Sequence, residues 1–416
     1  MKILHTLESY LPQVHGMSEV VRQLSERLVA MGHDVTVATS HDPTRMQKNI
    51  SGVKVEEFNI SGNSVRGIWG EKERYVEFLR NSDFDIVTFF AAQQWATDLA
   101  LPILQEIKSR KIFVPTGFSG FFQSEYKTYF EDLIVSMKNF DHSVFLSDDY
   151  RDINFAREIG LHNISVIPNG ADEREFLTPT ENNIRKELGI GEDDLLMLSV
   201  GSHTGKKGHK EAISILKALN YPDPVTLLIV GNLPRTGVGF QRFINAFKRL
   251  AKWILQYQGG GECLNDCQKQ ELNLKRNSGK KHLLVKKLTR KDTIKAFYAA
   301  DLFLFPSNIE CSPVVLFEAN AAGLPFFVTD VGNSKEITQW TNGGVVLPTT
   351  ISKEGLSYAK INESAEIIDH YLNKRSELVE MGLKGKKNWS EKFTWEGITS
   401  EYEKLYKFLA STQKIN

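Results

Sequence analysis

Short apolar runs alternate with helix-length amphipathic stretches from the start of the chain. Ile3-Leu4-His5-Thr6, Val35-Thr36-Val37-Ala38, Asp85 to Phe90, Ile112-Phe113-Val114 and Ile164 to Ile167 read as strands. Most are apolar on both faces, as strands buried in a parallel sheet must be. Between the first two, Val20, Val21, Leu24, Leu28 and Met31 recur at helical spacing, and Gly32 supplies the stop. A turn at Pro168-Asn169-Gly170 and a charged stretch from Glu181 to Asp194 interrupt the series. A second series follows: Leu195 to Val200, Val225 to Val230, His282 to Val285, Leu302 to Pro306, Pro325 to Thr329 and Gly344 to Leu347. After Ile361 the chain reads helical, with Trp389, Phe393, Trp395, Tyr402 and Tyr406 as apolar anchors.

Strands alternating with helices are the signature of βαβ units. The expected fold class is α/β, with two doubly wound Rossmann-like domains in tandem: a first domain over 1–170 and a second over 171–395. Ligands are expected at the carboxyl ends of the strands, in the cleft between the domains. The length of 416 residues suits two such domains.

Composition narrows the class. The chain has 25% charged and 41% hydrophobic residues, which excludes disordered, collagen-like and mucin-like readings. No apolar run approaches the roughly 18 residues of a membrane span, and Glu8 interrupts the first apolar run too early for a signal peptide. A cytoplasmic location is expected. Three cysteines, Cys263, Cys267 and Cys311, suit a reducing compartment better than a disulfide framework.

The formal net charge is zero, from 51 basic and 51 acidic residues, but it is not uniform. Residues 1–170 carry 17 basic and 22 acidic side chains, whereas Arg235 to Lys295 holds 15 basic and 4 acidic ones.

Three loops carry candidate chemistry. Gly16, where the first strand leads into the first helix, lets backbone N–H groups approach a phosphate, although a plain tight turn reads the same way. Gly201-Ser202-His203-Thr204-Gly205-Lys206-Lys207-Gly208-His209 repeats that geometry in the second series, and its lysines can neutralise a diphosphate. The spacing is not that of a P-loop. In the third, Ser312 is a suitable N-cap and Pro313 a suitable first helical residue, so a helix is expected from here to about Gly323. Glu310 precedes it and Glu318 lies within it, a pair of carboxylates able to hold successive hydroxyls of a sugar or ribose. Because Glu318 sits among Val314, Val315, Leu316, Phe317 and Ala319, its charge requires a partner.

With these residues, the chain resembles the retaining nucleotide-sugar glycosyltransferases of the GT-B fold, family 4. The resemblance rests on Gly16-Met17-Ser18-Glu19, Gly32-His33-Asp34-Val35, Pro168-Asn169-Gly170-Ala171-Asp172, and Gly201 with Lys207-Gly208. It continues through Gly231, the Glu310 to Glu318 spacing, Ala322-Gly323-Leu324-Pro325 and Gly332 to Glu336. It implies that Glu318 holds the ribose and Glu310 the donor sugar, that Lys207 binds the diphosphate with help from Gly16, and that Gly201, Ser202, Ser312, Val314 and Val315 line the donor. Glu310 and Lys207 are thereby the implied catalytic residues, and residues 396–416 are a C-terminal helix returning towards the first domain. The implied reaction is metal-independent transfer with retained configuration from a UDP- or GDP-linked sugar, without a separate cofactor, to a glycan or lipid-linked hydroxyl.

Two departures from the family pattern stand out. Ser202 replaces the usual arginine, with His203 or Lys206 as candidate substitutes, and Pro115-Thr116-Gly117-Phe118 replaces the usual acceptor-side histidine. A nucleotide-sugar-binding protein without transfer activity and a nucleotide-sugar 2-epimerase are therefore the alternatives, the second opposed by the Glu310 to Glu318 and Lys207-Gly208 matches. His5 and His15 are given no catalytic role.

The basic segment has its own reading. Phe243, Ile244, Phe247, Leu250, Ala251, Ile254 and Leu255 share one helical face, either that of an ordinary outer helix or that of a membrane-surface helix. Cys263-x3-Cys267 lacks the spacing and partner ligands of a zinc site, so no metal is expected. No aromatic-interleaved nucleic-acid module is present. An anionic membrane surface or a phosphorylated lipid-linked acceptor accounts for the charge over 235–295.

Overall fold

In the computed structural model, residues 1–176, 183–231, 263–277 and 279–412 are described. The chain forms two units, one comprising Met1–Arg174, Glu310–Phe317 and Trp389–Asn416, the other Glu175–Ile309 and Glu318–Asn388. The division thus falls after Arg174 rather than at 170, and two later segments join the first unit. The reason is local: the Tyr150 hydroxyl donates to the Glu310 carbonyl (2.7 Å), Asn169 Nδ2 donates to the Ser312 carbonyl (2.9 Å), and Ala171 N–H donates to the Phe393 carbonyl (3.1 Å).

The first unit contains strands β1 (Lys2–Thr6), β2 (Asp34–Ser40), β3 (Asn49–Ile50), β4 (Val53–Phe58), β5 (Ile60–Asn63), β6 (Gly67–Gly70), β7 (Ile86–Phe90), β8 (Arg110–Val114), β9 (His142–Phe145) and β10 (Ile164–Val166). Eight of them form one sheet in the order β10-β9-β8-β7-β1-β2-β4-β3, parallel except for the β3–β4 pair. The strand pattern explains the burial: every residue of β7 is buried, so the sheet carries apolar packing on both faces.

The helix Gly16–Ala30 buries Val20, Val21, Leu24 and Leu28, as the spacing predicts, and Gly32 adopts φ 89° just beyond it. On the same side of the sheet, the helix Trp395–Ser411 contributes Trp395, Ile398, Tyr402, Tyr406 and Leu409 to the core. Tyr406 binds the Thr88 hydroxyl (2.7 Å) and faces His5 Nε2 (3.2 Å), while His5 Nδ1 meets the Ser25 hydroxyl (2.8 Å). His5 is therefore a core residue, and burial lowers its pKa to about 3.

The second unit contains β11 (Leu195–Val200), β12 (Val225–Val230), β13 (Lys281–Lys286), β14 (Leu302–Phe305), β15 (Phe326–Thr329) and β16 (Gly344–Leu347). All six pair in parallel, in the order β13-β12-β11-β14-β15-β16. In register, Leu198 stands beside Leu228 on one side and Phe303 on the other. This is the doubly wound order in which the chain reverses direction at β11 and β14. Among the described residues, no helix is long and apolar enough to cross a membrane.

Candidate functional site

The second unit places its candidate loops where its topology predicts a ligand. β11 lies between β12 and β14, and the crevice at the carboxyl end of such a switch point is open to a ligand because the flanking helices depart to opposite faces. The Gly201–Gly208 loop leaves β11, and the Pro306–Pro313 loop leaves β14. The two are fastened together, since the Lys206 carbonyl accepts both the Asn308 N–H (3.0 Å) and the Ser307 hydroxyl (3.1 Å).

Glycine is required at the crossing. Gly208 has φ 69°, and a Cβ there would stand 1.8 Å from the Pro306 carbonyl oxygen. At Gly201 a Cβ would lie 3.1 Å from Lys207 Cβ, so the stem of Lys207 folds back across the strand end. Gly208 then caps the helix His209–Ala218 without a side-chain hydrogen bond. Its first-turn N–H groups have no intrahelical partners and give this end of the loop a positive potential.

Glu318 lies in the helix Val314–Ala322 and is only 5% exposed. A partner of the kind its burial demands is Arg290, whose Nη1 stands 2.7 Å from Glu318 Oε1. Arg290 opens the helix Arg290–Ala299 and also binds Glu175 through Nε (3.0 Å), with its guanidinium 5.8 Å from the Phe176 ring centroid. In the sequence, Arg290 stands only as one of the basic residues between 235 and 295. The signal that could have found it was a carboxylate in an apolar helix, which required a cation from elsewhere in the fold.

Glu310, Ser312, Val314 and Val315 lie in the segment that belongs to the first unit. The Tyr150 and Asn169 hydrogen bonds hold its backbone at Glu310 and Ser312. The expected N-cap is not made: the buried Ser312 hydroxyl has no hydrogen-bond partner among the described residues, and the helix begins at Val314. Pro313 lacks an N–H, so Val314 and Val315 supply the first amides of that helix.

In the first unit, Gly16 is the first residue of its helix, and open space surrounds the position where a Cβ would stand. His15 is the N-cap: its N–H donates to the Ser18 hydroxyl (2.8 Å), and its ring accepts from Ser18 N–H (3.5 Å). The sheet ends beside it are strained. Ala91 and Gln93 after β7, and Thr116 and Phe118 after β8, all have positive φ, between 47° and 63°. Four non-glycine residues in a conformation that disfavours side chains mark these strand ends as over-determined by their surroundings. Gly117 N–H donates to Asp152 Oδ2 (2.8 Å), and burial raises the Asp152 pKa to about 6 despite that bond. Gln93 Oε1 accepts from Gly120 N–H (3.1 Å), tying the two strained loops. Their sequence gives no glycine or proline warning at Ala91 or Gln93, whereas Thr116 stands between Pro115 and Gly117.

His203 is not a substitute for the missing arginine. Its ring is fully buried, with Nδ1 3.5 Å from Cys263 Sγ, and His209 Nδ1 lies 3.4 Å from the same sulfur. Two histidines thus stand beside Cys263, a juxtaposition that the local Cys263-x3-Cys267 spacing does not reveal. Ser202 is half-buried at the start of the loop and Lys206 is exposed. The proposed membrane-surface face from Phe243 to Leu255 lies outside the described residues, and Leu264–Asn277 is a helix burying Cys267 and Leu274.

Comparison with known proteins assigns each half of the chain. Residues 14–175 match the profile of Glycosyltransferase Family 4, and residues 180–363 that of Glycosyl transferases group 1. An uncharacterised glycosyltransferase of Methanocaldococcus jannaschii is 24% identical, the alignment covering 98% of both chains. The N-acetyl-alpha-D-glucosaminyl L-malate synthase of Bacillus anthracis is 21% identical over 95% of this chain and 94% of that one. The solved structure of Anabaena HepE in complex with UDP and glucose shares the fold, with a TM-score of 0.70 at 15% identity, covering 98% of this chain and 100% of that one.

Proposed function

From a chain that belongs to the group 1 and family 4 glycosyltransferases and has their GT-B fold, we infer a transferase that moves a sugar from a nucleotide diphosphate to a hydroxyl acceptor, retaining the configuration at the anomeric carbon. The observation that carries this reading is the pairing of Arg290 with the buried Glu318 in the unit whose Lys207 loop leaves the β11–β14 switch point.

Each residue then has a task. Arg290 fixes the Glu318 carboxylate so that it accepts hydrogen bonds from the ribose hydroxyls. Lys207 and the amino end of the helix His209–Ala218 stabilise the charge that grows on the departing diphosphate. Gly201 and Ser202 line the approach to it, and Gly16 admits a phosphate to the open backbone at the start of its helix. The Ser312 hydroxyl and the Val314 and Val315 amides offer further donors. Glu310 orients the hydroxyls of the donor sugar and is not a covalent nucleophile. Charge stabilisation by lysine and helix dipoles supplies what a metal would, so the transfer step is metal-independent.

The donor is UDP- or GDP-linked, and the HepE complex with UDP and glucose favours the uridine form. The acceptor is a glycan or lipid-linked hydroxyl of polysaccharide or glycoconjugate synthesis. The basic stretch 235–295 provides contact with a phosphorylated acceptor or an anionic membrane surface at the cytoplasmic side. Proton NMR of the first-formed product tests the stereochemistry. A product with the donor's anomeric configuration supports the reading, and an inverted product refutes it.

A further inference from the structure

The second unit contains a cluster that the transfer reaction does not use. His203 follows β11 by three residues, His209 opens the helix His209–Ala218, and Cys263 and Cys267 stand four residues apart at the start of the helix Leu264–Asn277, on one face. One donor atom from each of the four lies within 4.8 Å of all the others. His203 and His209 are 0% and 2% exposed and Cys267 is 3% exposed.

We propose that His203, His209, Cys263 and Cys267 bind one zinc ion, which fastens the Lys207 loop to the helix Leu264–Asn277.

The distances agree with a tetrahedral centre. Bonds of about 2.3 Å to sulfur and about 2.1 Å to nitrogen place the two ligand atoms about 3.6 Å apart along a tetrahedral edge. The two sulfur–nitrogen separations at Cys263 are 3.5 and 3.4 Å. The chemistry of the donors agrees as well, since two thiolates with two imidazoles form a set that selects zinc over harder cations. Ligation through Nδ1 places the proton of each neutral imidazole on Nε2, which has no hydrogen-bond partner among the described residues. Their rings pack 4.7 Å apart, and both turn Nδ1 towards a thiol. An ordinary core histidine pair would face carbonyl or carboxylate oxygens instead.

Four protein ligands leave no open coordination position, so the ion is structural and takes no part in the transfer. Its effect is on shape. His203 and His209 bracket Lys206 and Lys207, and Lys206 in turn holds the Pro306–Pro313 loop through its carbonyl. The ion joins this loop to a helix whose cysteine lies 54 residues beyond His209. Cross-linking so long a stretch of chain restricts the unfolded state. Binding also requires the thiols to lose their protons, which couples metal affinity to folding and to pH.

The test uses the full chain, purified without chelators or added metal. Elemental analysis is expected to find about one zinc per chain, released on thiol modification. The metal-free protein titrated with Co²⁺ is expected to give the intense visible bands of a tetrahedral ion with sulfur-to-cobalt charge transfer. Both signals should vanish in C263S/C267S, whereas H209C, which keeps four ligands, should retain them with stronger charge transfer. The wild-type readings need no variant to fold. A chain without zinc whose cobalt spectrum is that of the free aqueous ion overturns the proposal. So does a Cys263–Cys267 disulfide in the purified protein, or an unchanged cobalt spectrum in the double variant.

Discussion

The Arg290 guanidinium stands 2.7 Å from the Glu318 carboxylate, which is almost wholly excluded from water. Removing the cation takes an ion-pair partner from a buried carboxylate. A fully buried pair broken in this way costs roughly 3–5 kcal/mol, but Arg290 is 40% exposed, so Arg290→Ala should lower stability by about 2 kcal/mol. It should also weaken donor binding, because the carboxylate loses its orientation. Urea unfolding and nucleotide titration measure the two effects separately; intact donor binding in Arg290→Ala would show that Arg290 serves stability alone.

Gly208→Ala should disable the protein more severely than any exposed substitution in the same loop. The new methyl would meet the Pro306 carbonyl at 1.8 Å in a backbone conformation that side chains avoid. A loss of more than about 2 kcal/mol is expected, with separation of the two loops. A urea midpoint equal to that of the wild type would contradict the described crossing.

Lys207→Ala should leave the fold intact and reduce kcat/KM by about 10² to 10³, the effect of removing one preorganised group that stabilises developing charge. Lys207→Arg should recover part of the rate. Steady-state kinetics with varied donor at saturating acceptor decides it: an effect confined to the donor KM would assign Lys207 to uniform binding rather than to the departing diphosphate.

The buried His5 predicts the acid sensitivity of the first unit. Its folded pKa of about 3 lies below the ordinary 6.5, so the unfolded chain binds a proton that the folded chain refuses. The contribution of neutral His5 is complete above pH 6.5 and is lost as pH falls from there towards 3, with a slope of up to about 1.4 kcal/mol per pH unit. His5→Gln should show a flatter decline in urea midpoint over that range. Parallel profiles for the two proteins would remove His5 as the cause.

Much of this architecture was legible from periodicity. β11 and β12 begin and end where the apolar runs do, because a strand buried on both faces is predominantly apolar, and the half-buried β16 matches its run as well. β4 and β9 were missed: Val53–Phe58 alternates with charged residues, and His142–Phe145 is too short to stand out. Local signals also misled at Ser312, whose type suits a cap although its hydroxyl makes none. Relationships across long separations stayed hidden. Arg290 finds Glu318, and His203 and His209 find Cys263, only after the sheet has set adjacent strands side by side. The strain at Ala91, Gln93, Thr116 and Phe118 is equally a product of packing, since none of these residue types announces a left-handed backbone.

On the proposed function, the second unit binds a nucleotide sugar through Glu318 and Lys207 and releases its diphosphate. The direct measurement is nucleoside diphosphate production from a panel of UDP- and GDP-sugars in the presence of glycan and lipid-linked acceptors, run on wild type, Glu318→Ala and Lys207→Ala. Turnover of one donor class by the wild type is expected, with at least about tenfold weaker donor binding in Glu318→Ala from the lost charge-assisted hydrogen bonds and a strongly reduced rate in Lys207→Ala. Turnover at wild-type rate and donor affinity in both variants would contradict it.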